Sequence, residues 1–170
     1  MLYLKKANLE DIDKEYEAII SFPEDENGFK NQYFNISKEE FKEKVLPKII
    51  NNSKGIDLKE GWVPCTYYFL WKDEEIIGLY KVRHFLNDRL KNEAGHIGYG
   101  IIKEYRGKGY ATEGLKLAIE ELKKITTDDE IYLFCNTDNI ASLKAQIKNG
   151  AYIVKQDNNK THTRIKIKSE

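Results

Sequence analysis

The sequence predicts an α/β domain, and three observations lead to this fold class. Residues 96–125 pass from a strand through a glycine-bearing turn into an amphipathic helix, because alternating apolar residues over Ile97–Ile101 give way to apolar residues at helical spacing. A second strand at Ile131–Cys135 and a second helix, opened by Asn139, follow in the same order. Upstream, two runs rich in aromatic and β-branched residues predict an antiparallel hairpin.

Length and charge limit the classes of function. The chain has 170 residues, which predicts a single domain over 1–170. It carries 28 basic and 28 acidic residues, so nothing indicates the positive surface that nucleic-acid binding requires, and we expect no nucleic-acid partner. No stretch resembles a secretion signal or a bilayer-spanning segment, so we expect no membrane partner and a cytoplasmic location.

The cysteines and histidines do not form a metal-binding pattern. Cys65 and Cys135 lie far apart in apolar segments, and we interpret both as small core residues, with a reactive thiol at Cys135 as the alternative. His84, His96 and His162 have no ligand spacing. We expect no metal.

The first third of the chain predicts a strand and two helices. Leu2–Leu4 predicts a short strand, and Asn8 or Asp11 caps a helix that buries Ile12, Tyr16, Ile19 and Ile20. Residues 22–36 mix Pro, Gly and aromatic residues and predict a loop. Ser37 and Glu40 form a capping box, and Pro47 is expected to bend or interrupt the helix that follows.

The later elements complete the predicted sheet. The hairpin comprises Val63–Trp71 and Ile76–His84, and a long charged connection over Phe85–Gly95 follows it. Tyr152–Val154 begins a last pair of strands with a turn at residues 157–160. The alternation over His162–Lys168 predicts a half-exposed edge strand.

The turn between the first strand and helix of residues 96–125 has the features of an anion site. Its sequence is Arg106-Gly107-Lys108-Gly109-Tyr110-Ala111. The amides of a helix beginning near Gly109 lack intrahelical acceptors and carry the positive end of the helix dipole, which suits phosphate oxygens. Gly107 and Gly109 can adopt positive φ, while Arg106 and Lys108 add positive charge. An ordinary strand-to-helix turn is the alternative interpretation of these residues.

Known loop patterns narrow this choice. The turn contains neither a Walker-type run nor the three glycines of the dinucleotide fingerprint. Arg106, Gly109 and Ala111 instead fit Arg/Gln-x-x-Gly-x-Gly/Ala, and the Asn139 helix ends in Lys148-Asn149-Gly150. Over residues 94–154 the sequence resembles the GNAT superfamily of N-acetyltransferases, and in particular a bacterial branch with unassigned acceptors.

The resemblance implies a fold, a co-substrate and a binding site. The fold is a mixed central sheet of about six to seven strands flanked by about four helices, and it opens between the fourth and fifth strands. The co-substrate is acetyl-CoA, with its pyrophosphate on the turn and its pantetheine arm on the fourth strand. The implied cofactor-binding residues are Tyr99, Gly100, Ile101, Ile102, Arg106, Gly107, Lys108, Gly109, Tyr110, Ala111, Thr112 and Asn139.

The resemblance does not supply the catalytic residues. Many relatives place a Tyr acid seven residues after the helix-opening Asn, where this chain has Gln146, and others use a Glu at positions occupied here by Phe134 or Gly95. His96, whose ordinary pKa lies near the operating pH, is the first candidate for the base. His84, Glu93 and Tyr99 follow it. A packed strand residue is the alternative interpretation of His96.

Together these observations predict an N-acetyltransferase that moves an acetyl group from acetyl-CoA to a primary amine in a ternary complex. The acceptor is a small-molecule amine or a protein amine, and a homodimer is left open. The resemblance leaves two alternatives: a CoA-binding or acyl-CoA-binding module without transferase activity, and a structural domain whose loop binds no nucleotide.

Overall fold

The computed structural model describes residues 1–167 and shows strands and helices that share one core. The strands are β1 Leu2–Lys6, β2 Cys65–Lys72, β3 Glu75–Arg83, β4 Ile97–Ile101, β5 Glu130–Asn136, β6 Tyr152–Gln156 and β7 Lys160–Lys166, with a short hairpin of Asp25–Glu26 and Phe29–Lys30. The helices are α1 Ile12–Ile20, α2 Lys38–Glu40 continued by a π-helical turn Phe41–Val45 and by Leu46–Ser53, α3 Asp88–Glu93, α4 Tyr110–Ile125 and α5 Ile140–Lys148, with a 3₁₀ turn at Lys103–Tyr105.

The central sheet is divided into two antiparallel parts, in the orders β1-β2-β3-β4 and β5-β7-β6. The parts meet where the amide of His96 donates to the carbonyl of Tyr132 over 2.8 Å. From that point β4 and β5 run in the same direction and separate. The later residues of both strands line the cleft that lies between them. The expected opening between the fourth and fifth strands is therefore confirmed.

Helices cover both faces of the first part of the sheet. Alternate residues of β2 and β3 point to opposite faces, as the period of a strand requires. Leu70 and Tyr80 pack with Leu115 and other residues of α4, whereas Phe69 and Leu79 pack against α1 and α2. The sheet is thus the middle layer of the domain, and its two faces lead to different sides of the cleft.

A close contact between α4 and β3 fixes the start of α4. Gly114 lies one turn into the helix, and an added Cβ there would collide with the hydroxyl of Tyr80. That hydroxyl donates to the carbonyl of Ala111 over 2.9 Å. The first turn of α4 is therefore held directly over β3, which orients its amides toward the cleft.

Several local predictions are confirmed. The amide of Glu40 donates to Ser37 Oγ over 3.1 Å, as the capping box requires. The helix begun there changes to a π-helical turn just before Pro47, which cannot donate the next helical hydrogen bond. The last two strands are joined by a turn in which the amide of Asp157 donates to the carbonyl of Lys160.

One prediction is wrong, and two of the predicted connections contain short elements that were not expected. The strand expected at the sheet edge, β7, lies between β5 and β6, because alternating burial does not distinguish a central strand from an edge strand; Lys168, its expected last residue, lies outside the described residues. The connection over Phe85–Gly95 is not irregular throughout, because it contains α3. Asn87 Oδ1 caps α3 by accepting from the amide of Leu90 over 2.9 Å. The loop of residues 22–36 likewise contains the short hairpin.

In the part of the chain that the structure describes, no helix combines the length and apolar character needed to cross a membrane.

Candidate active site

A cleft of about 780 Å³ lies between β4 and β5. Gly98 to Ile101 form one wall, Phe134 to Asn136 form the other, and the start of α5 closes it behind. The glycine-bearing turn before α4 lies at one end of the cleft, and Lys81 with Arg83 lies at the other. Of the residues expected to bind acetyl-CoA, Ile102 and Lys108 lie outside this lining, and the others contribute to it.

The exposed edge of β4 offers main-chain hydrogen-bonding groups to the cleft. His96 and Ile102 form main-chain bonds to β3 at the two ends of the strand. Because the bonds of an antiparallel ladder alternate, the residues between them that face β3 are Gly98 and Gly100. The amides and carbonyls of Tyr99 and Ile101 therefore point away from β3 toward the cleft, where an extended ligand can pair with them as another strand would.

The start of α4 forms a cradle for an anion. Gly107 and Gly109 have φ of 78° and 83°, in the left-handed region that favours glycine, and Gly109 is the residue before the first helical turn. No heavy atom lies within 4 Å of a Cβ added at either glycine, so the space over both is open. The open space therefore adjoins helix amides without intrahelical acceptors and the positive end of the helix dipole, an arrangement that suits an anionic ligand group.

Arg106 does not present a free charge in this structure. Its Nε donates to the carbonyl of Ile101 over 2.9 Å, and its guanidinium forms an ion pair with Glu26 of the short hairpin. Sequence reasoning missed Glu26, since the two residues lie 80 positions apart. Arg106 thus joins the turn to β4 and to the hairpin, while the exposed Lys108 is the cation that remains near the cradle.

Tyr99 is the predicted catalytic residue that lines the cleft. Its ring stacks on Tyr80 with centroids 5.4 Å apart, and its hydroxyl lies 2.6 Å from Ser142 Oγ and 3.4 Å from Gln146 Nε2. Burial raises the pKa of Tyr99, although the bonds to Ser142 and Gln146 oppose the shift. The phenol therefore stays protonated at neutral pH and can act as a proton donor.

His96 lies elsewhere. Its side chain is fully buried beneath the join of the two sheet parts, outside the cleft lining. Nδ1 accepts from the amide of Tyr132 over 2.9 Å, and Nε2 lies 2.8 Å from Asp128 Oδ2. Since Nδ1 must be an acceptor, the neutral ring carries its proton on Nε2 and donates it to Asp128. Burial lowers the pKa of His96, which agrees with this neutral form although Asp128 opposes the shift.

His84 and Glu93, the other residues considered as bases, occupy different environments. His84 Nε2 lies 2.7 Å from Thr66 Oγ1, and burial lowers the pKa of the ring. Glu93 lines the end of the cleft opposite the glycine turn and forms an exposed ion pair with Arg89 over 3.2 Å. Glu93 is therefore the one of the two that borders the cleft.

Asn139 caps α5, and Gln146 links this helix to two neighbouring strands. Asn139 lines the cleft, and its Oδ1 accepts from the amide of Ser142 over 3.2 Å, so the helix-capping role is present. Gln146 is fully buried, where its Nε2 donates to the carbonyl of Phe134 over 3.1 Å and its Oε1 accepts from Thr163 over 2.7 Å. Gln146 therefore ties α5 to β5 and β7.

A second cavity of about 250 Å³ adjoins the cleft on the α2 side of the sheet, and we call it the side cavity. Lys81, Arg83 and Ala94 line both spaces, so they mark the junction. The rest of its wall comes from residues 32–33 of the loop, from 49–67 and from α3. Both the loop of residues 22–36 and the connection over Phe85–Gly95 contribute residues to its lining. Sequence reasoning missed Lys81 and Arg83, which look like ordinary exposed positions of a strand.

A split sheet with an anion cradle at one end of the opening defines a protein of the acyltransferase class. The family model described as an acetyltransferase (GNAT) domain matches residues 2–152, and the chain therefore belongs to the GNAT acetyltransferases. It is an acetyltransferase. Among residues 1–167, no group of three or more His, Cys, Asp or Glu side chains could hold a metal ion.

Solved structures support the fold at low sequence identity. A probable acetyltransferase is 14% identical, with a TM-score of 0.69 over 97% of this chain and 92% of that one. A ribosomal-protein-S5-alanine acetyltransferase from Vibrio fischeri is 16% identical, with a TM-score of 0.68 over 97% and 92%. A ribosomal L7/L12 α-N-protein acetyltransferase, solved with coenzyme A, is 14% identical, with a TM-score of 0.63 over 96% and 90%. No curated protein matches the sequence significantly.

Proposed function

We propose that this protein transfers the acetyl group of acetyl-CoA to a primary amine by direct attack in a ternary complex. The observation that carries the proposal is that two spaces adjoin: the cleft, with the anion cradle at its far end, and the side cavity share Lys81, Arg83 and Ala94 in their linings. A donor in the cleft and an acceptor in the side cavity would therefore meet without a covalent enzyme intermediate.

The donor would bind through main-chain groups. The amides of residues 107–112 would hold the pyrophosphate, and Tyr99 and Ile101 would pair with the pantetheine arm along the open edge of β4. Asn139 would meet the arm from α5. Acetyl-CoA would supply an activated thioester, and an amide of β4 would donate to its carbonyl oxygen as negative charge develops there.

Proton transfer would involve Tyr99 and a base near the side cavity. The amine nitrogen forms a bond to the acetyl carbon, the carbon–sulfur bond breaks, and the thiolate leaves. Tyr99 would give its proton to that sulfur. In this role Tyr99, on β4, would replace the acid that many relatives carry on the helix, at the position of Gln146. Glu93 would receive the amine proton through water, since it borders the cleft at the acceptor end.

A CoA-binding module without transferase activity is the second candidate. Gln146 favours it, because the amide at this position cannot donate a titratable proton. The hydroxyl of Tyr99 beside Gln146 is the observation against it. The two proposals differ in one outcome, which is the release of free CoA.

The acceptor of the reaction is a primary amine of a small molecule or protein. Structural neighbours act on both kinds, since they include acetyltransferases of ribosomal proteins and a spermidine N-acetyltransferase chimera, the latter 14% identical with a TM-score of 0.64 over 98% of this chain and 95% of that one. These acceptors are the ones named for the neighbouring structures and are not assigned to this protein.

The test measures CoA release with a thiol reagent over a panel of amino acids, polyamines, amine antibiotics and peptide N-termini. We expect release that depends on both protein and amine. Calorimetry with CoA accompanies the panel: binding without release by any amine would favour the CoA-binding module, and absence of binding would refute both proposals.

A further inference from the structure

We propose that the side cavity selects an acceptor whose amine lies next to a carboxylate, namely a free amino acid, and that Lys81 and Arg83 bind that carboxylate. This inference rests on the proposed amine acetylation and adds the class of acceptor. Its basis is a pair of half-buried cations at the junction where the acceptor amine would meet the thioester.

Neither cation has a carboxylate partner. Lys81 Nζ donates to the carbonyl of Lys30 over 2.9 Å and lies over the rings of Phe29 and Tyr67, with 4.8 Å and 5.4 Å to the centroids. Arg83 donates to the carbonyl of Gly95 over 3.1 Å. Within residues 1–167, neither forms an ion pair. Burying charge without a counter-ion is unfavourable, so an anionic ligand group would offset a cost already present in the fold.

The groups that face Lys81 carry no negative charge to compensate it. Its neighbours on β2 are Cys65 and Tyr67, and Tyr33 lies across the side cavity. Burial raises the pKa of all three, so they are neutral at pH 7. The same burial lowers the pKa of Lys81 to about 8, which still leaves most of the side chain protonated at neutral pH.

The lining of the side cavity disfavours a polycationic acceptor. No Asp or Glu of the described chain contributes to it, and its third cation, Arg89, is already paired with Glu93. A polyamine would bring positive charge to a positive wall. The carboxylates that do line the larger cleft are Glu26, paired with Arg106, and Glu93.

Position and size favour a free amino acid over a peptide. Because Lys81 and Arg83 line both spaces, a group bound to them lies close to the reacting amine, as the carboxylate of an α-amino acid does. The N-terminal residue of a peptide has a neutral amide there instead. The side cavity of about 250 Å³ would accommodate one side chain.

The experiment compares acceptors that differ in the carboxylate alone. L-phenylalanine, L-methionine and L-glutamate are each tested beside the matching α-carboxamide, together with spermidine and an amidated tripeptide. We expect at least one acid to exceed its carboxamide by about 10-fold to 100-fold in kcat/KM, the range of one or two charge-assisted bonds. Equal use of acid and carboxamide, or preference for spermidine or the peptide, would overturn the proposal.

Two variants locate the effect. Lys81→Met keeps the length of the side chain and removes the charge, so the preference for the acid should fall to within about 3-fold while the Kd of CoA stays unchanged. Lys116→Met, on the exposed face of α4, is the matched control and should retain the preference. An unchanged preference in folded Lys81→Met would overturn the assignment.

A binding measurement separates this inference from the proposed function. If no amine releases CoA, the transferase proposal fails, and calorimetry of the three acids and their carboxamides with the CoA-loaded protein tests the side cavity alone. Binding of the acid that Lys81→Met abolishes would support the carboxylate site; absence of binding by all three acids would refute it.

Discussion

Replacement of Tyr99 by Phe tests the proposed proton donor with a change of one oxygen atom. The ring should remain stacked on Tyr80, and the loss is confined to the bond of 2.6 Å with Ser142 Oγ and the longer contacts with the carbonyl of Ser142 and with Gln146. Such a hydrogen bond contributes about 1 kcal/mol net, so the variant should fold. Loss of a general acid raises the barrier by about 2.7 kcal/mol, and we expect kcat to fall about 10²-fold.

The pH dependence makes this prediction sharper. Because burial raises the pKa of Tyr99, its hydroxyl is protonated throughout neutral pH, and the deficit of the variant should be constant over that range. The KM for acetyl-CoA should change little, since the main chain of β4 is unaltered. CoA release at saturating acetyl-CoA, measured at several pH values around neutrality, gives both quantities.

Tyr80→Phe is the matched control. It removes the hydroxyl of the other ring in the stacked pair, which donates to the carbonyl of Ala111 and belongs to a residue that does not line the cleft. It should lose a similar amount of stability and keep kcat within about 3-fold of the wild-type value. If Tyr99→Phe and Tyr80→Phe have equal rates, Tyr99 has no role in proton transfer and the reasoning is refuted.

The other predictions concern the cradle, the sheet junction and a buried acid. Gly109→Val should raise the Kd of CoA at least about 10-fold by calorimetry, because its branched side chain strains positive φ and enters the open space, whereas Gly61→Val, also at positive φ, should not; equal affinities would contradict the placement. His96→Ala should lower stability by about 3 kcal/mol and leave kcat of the folded variant within about 3-fold, and a large loss of kcat at wild-type Tm would restore His96 as the base. Burial raises the pKa of Glu15 to about 8, above its unfolded value, so the protonated form stabilises the fold below about pH 4.5 and that stability is lost as pH rises through 8. Glu15→Gln should therefore be more stable than wild type by about 3 kcal/mol at pH 8 and equal to it at pH 4, and thermal melts that show no difference at pH 8 would disprove this.

Features that depend on nearby residues were predictable from the sequence. The strand, the two glycines and the helix over Ile97–Ile125 follow from periodicity and backbone freedom, and each is present. The cap at Ser37 and the interruption near Pro47 follow from hydrogen bonds within one turn. The helix α3 was predictable on the same grounds, because Asn87 and Asp88 precede a buried Leu90, but the charged residues around them obscured the signal.

Features that depend on distant residues were not predictable in this way. The hydroxyl of Tyr99 meets Gln146 across 47 positions, and Asp128 lies 32 positions from His96. A histidine in an alternating strand sequence gives the same pattern whether its ring faces a ligand or accepts a main-chain hydrogen bond. The sequence therefore does not distinguish these two roles. The pairing of β7 between β5 and β6 likewise depends on chain topology, which alternation of burial along a single strand does not contain.

The hydrogen bonds around His96 allow opening of the cleft to be distinguished from global unfolding. At the junction, the amide of His96 bonds to a main-chain carbonyl and the amide of Tyr132 bonds to a side-chain nitrogen, whereas amides inside each sheet part belong to continuous ladders. In hydrogen-exchange terms, the two junction amides can exchange when β4 and β5 separate by a small angle, without loss of either ladder. Their protection factors therefore report how far the cleft opens, independently of global unfolding, and a ligand that bridges β4 and α5 should raise them first.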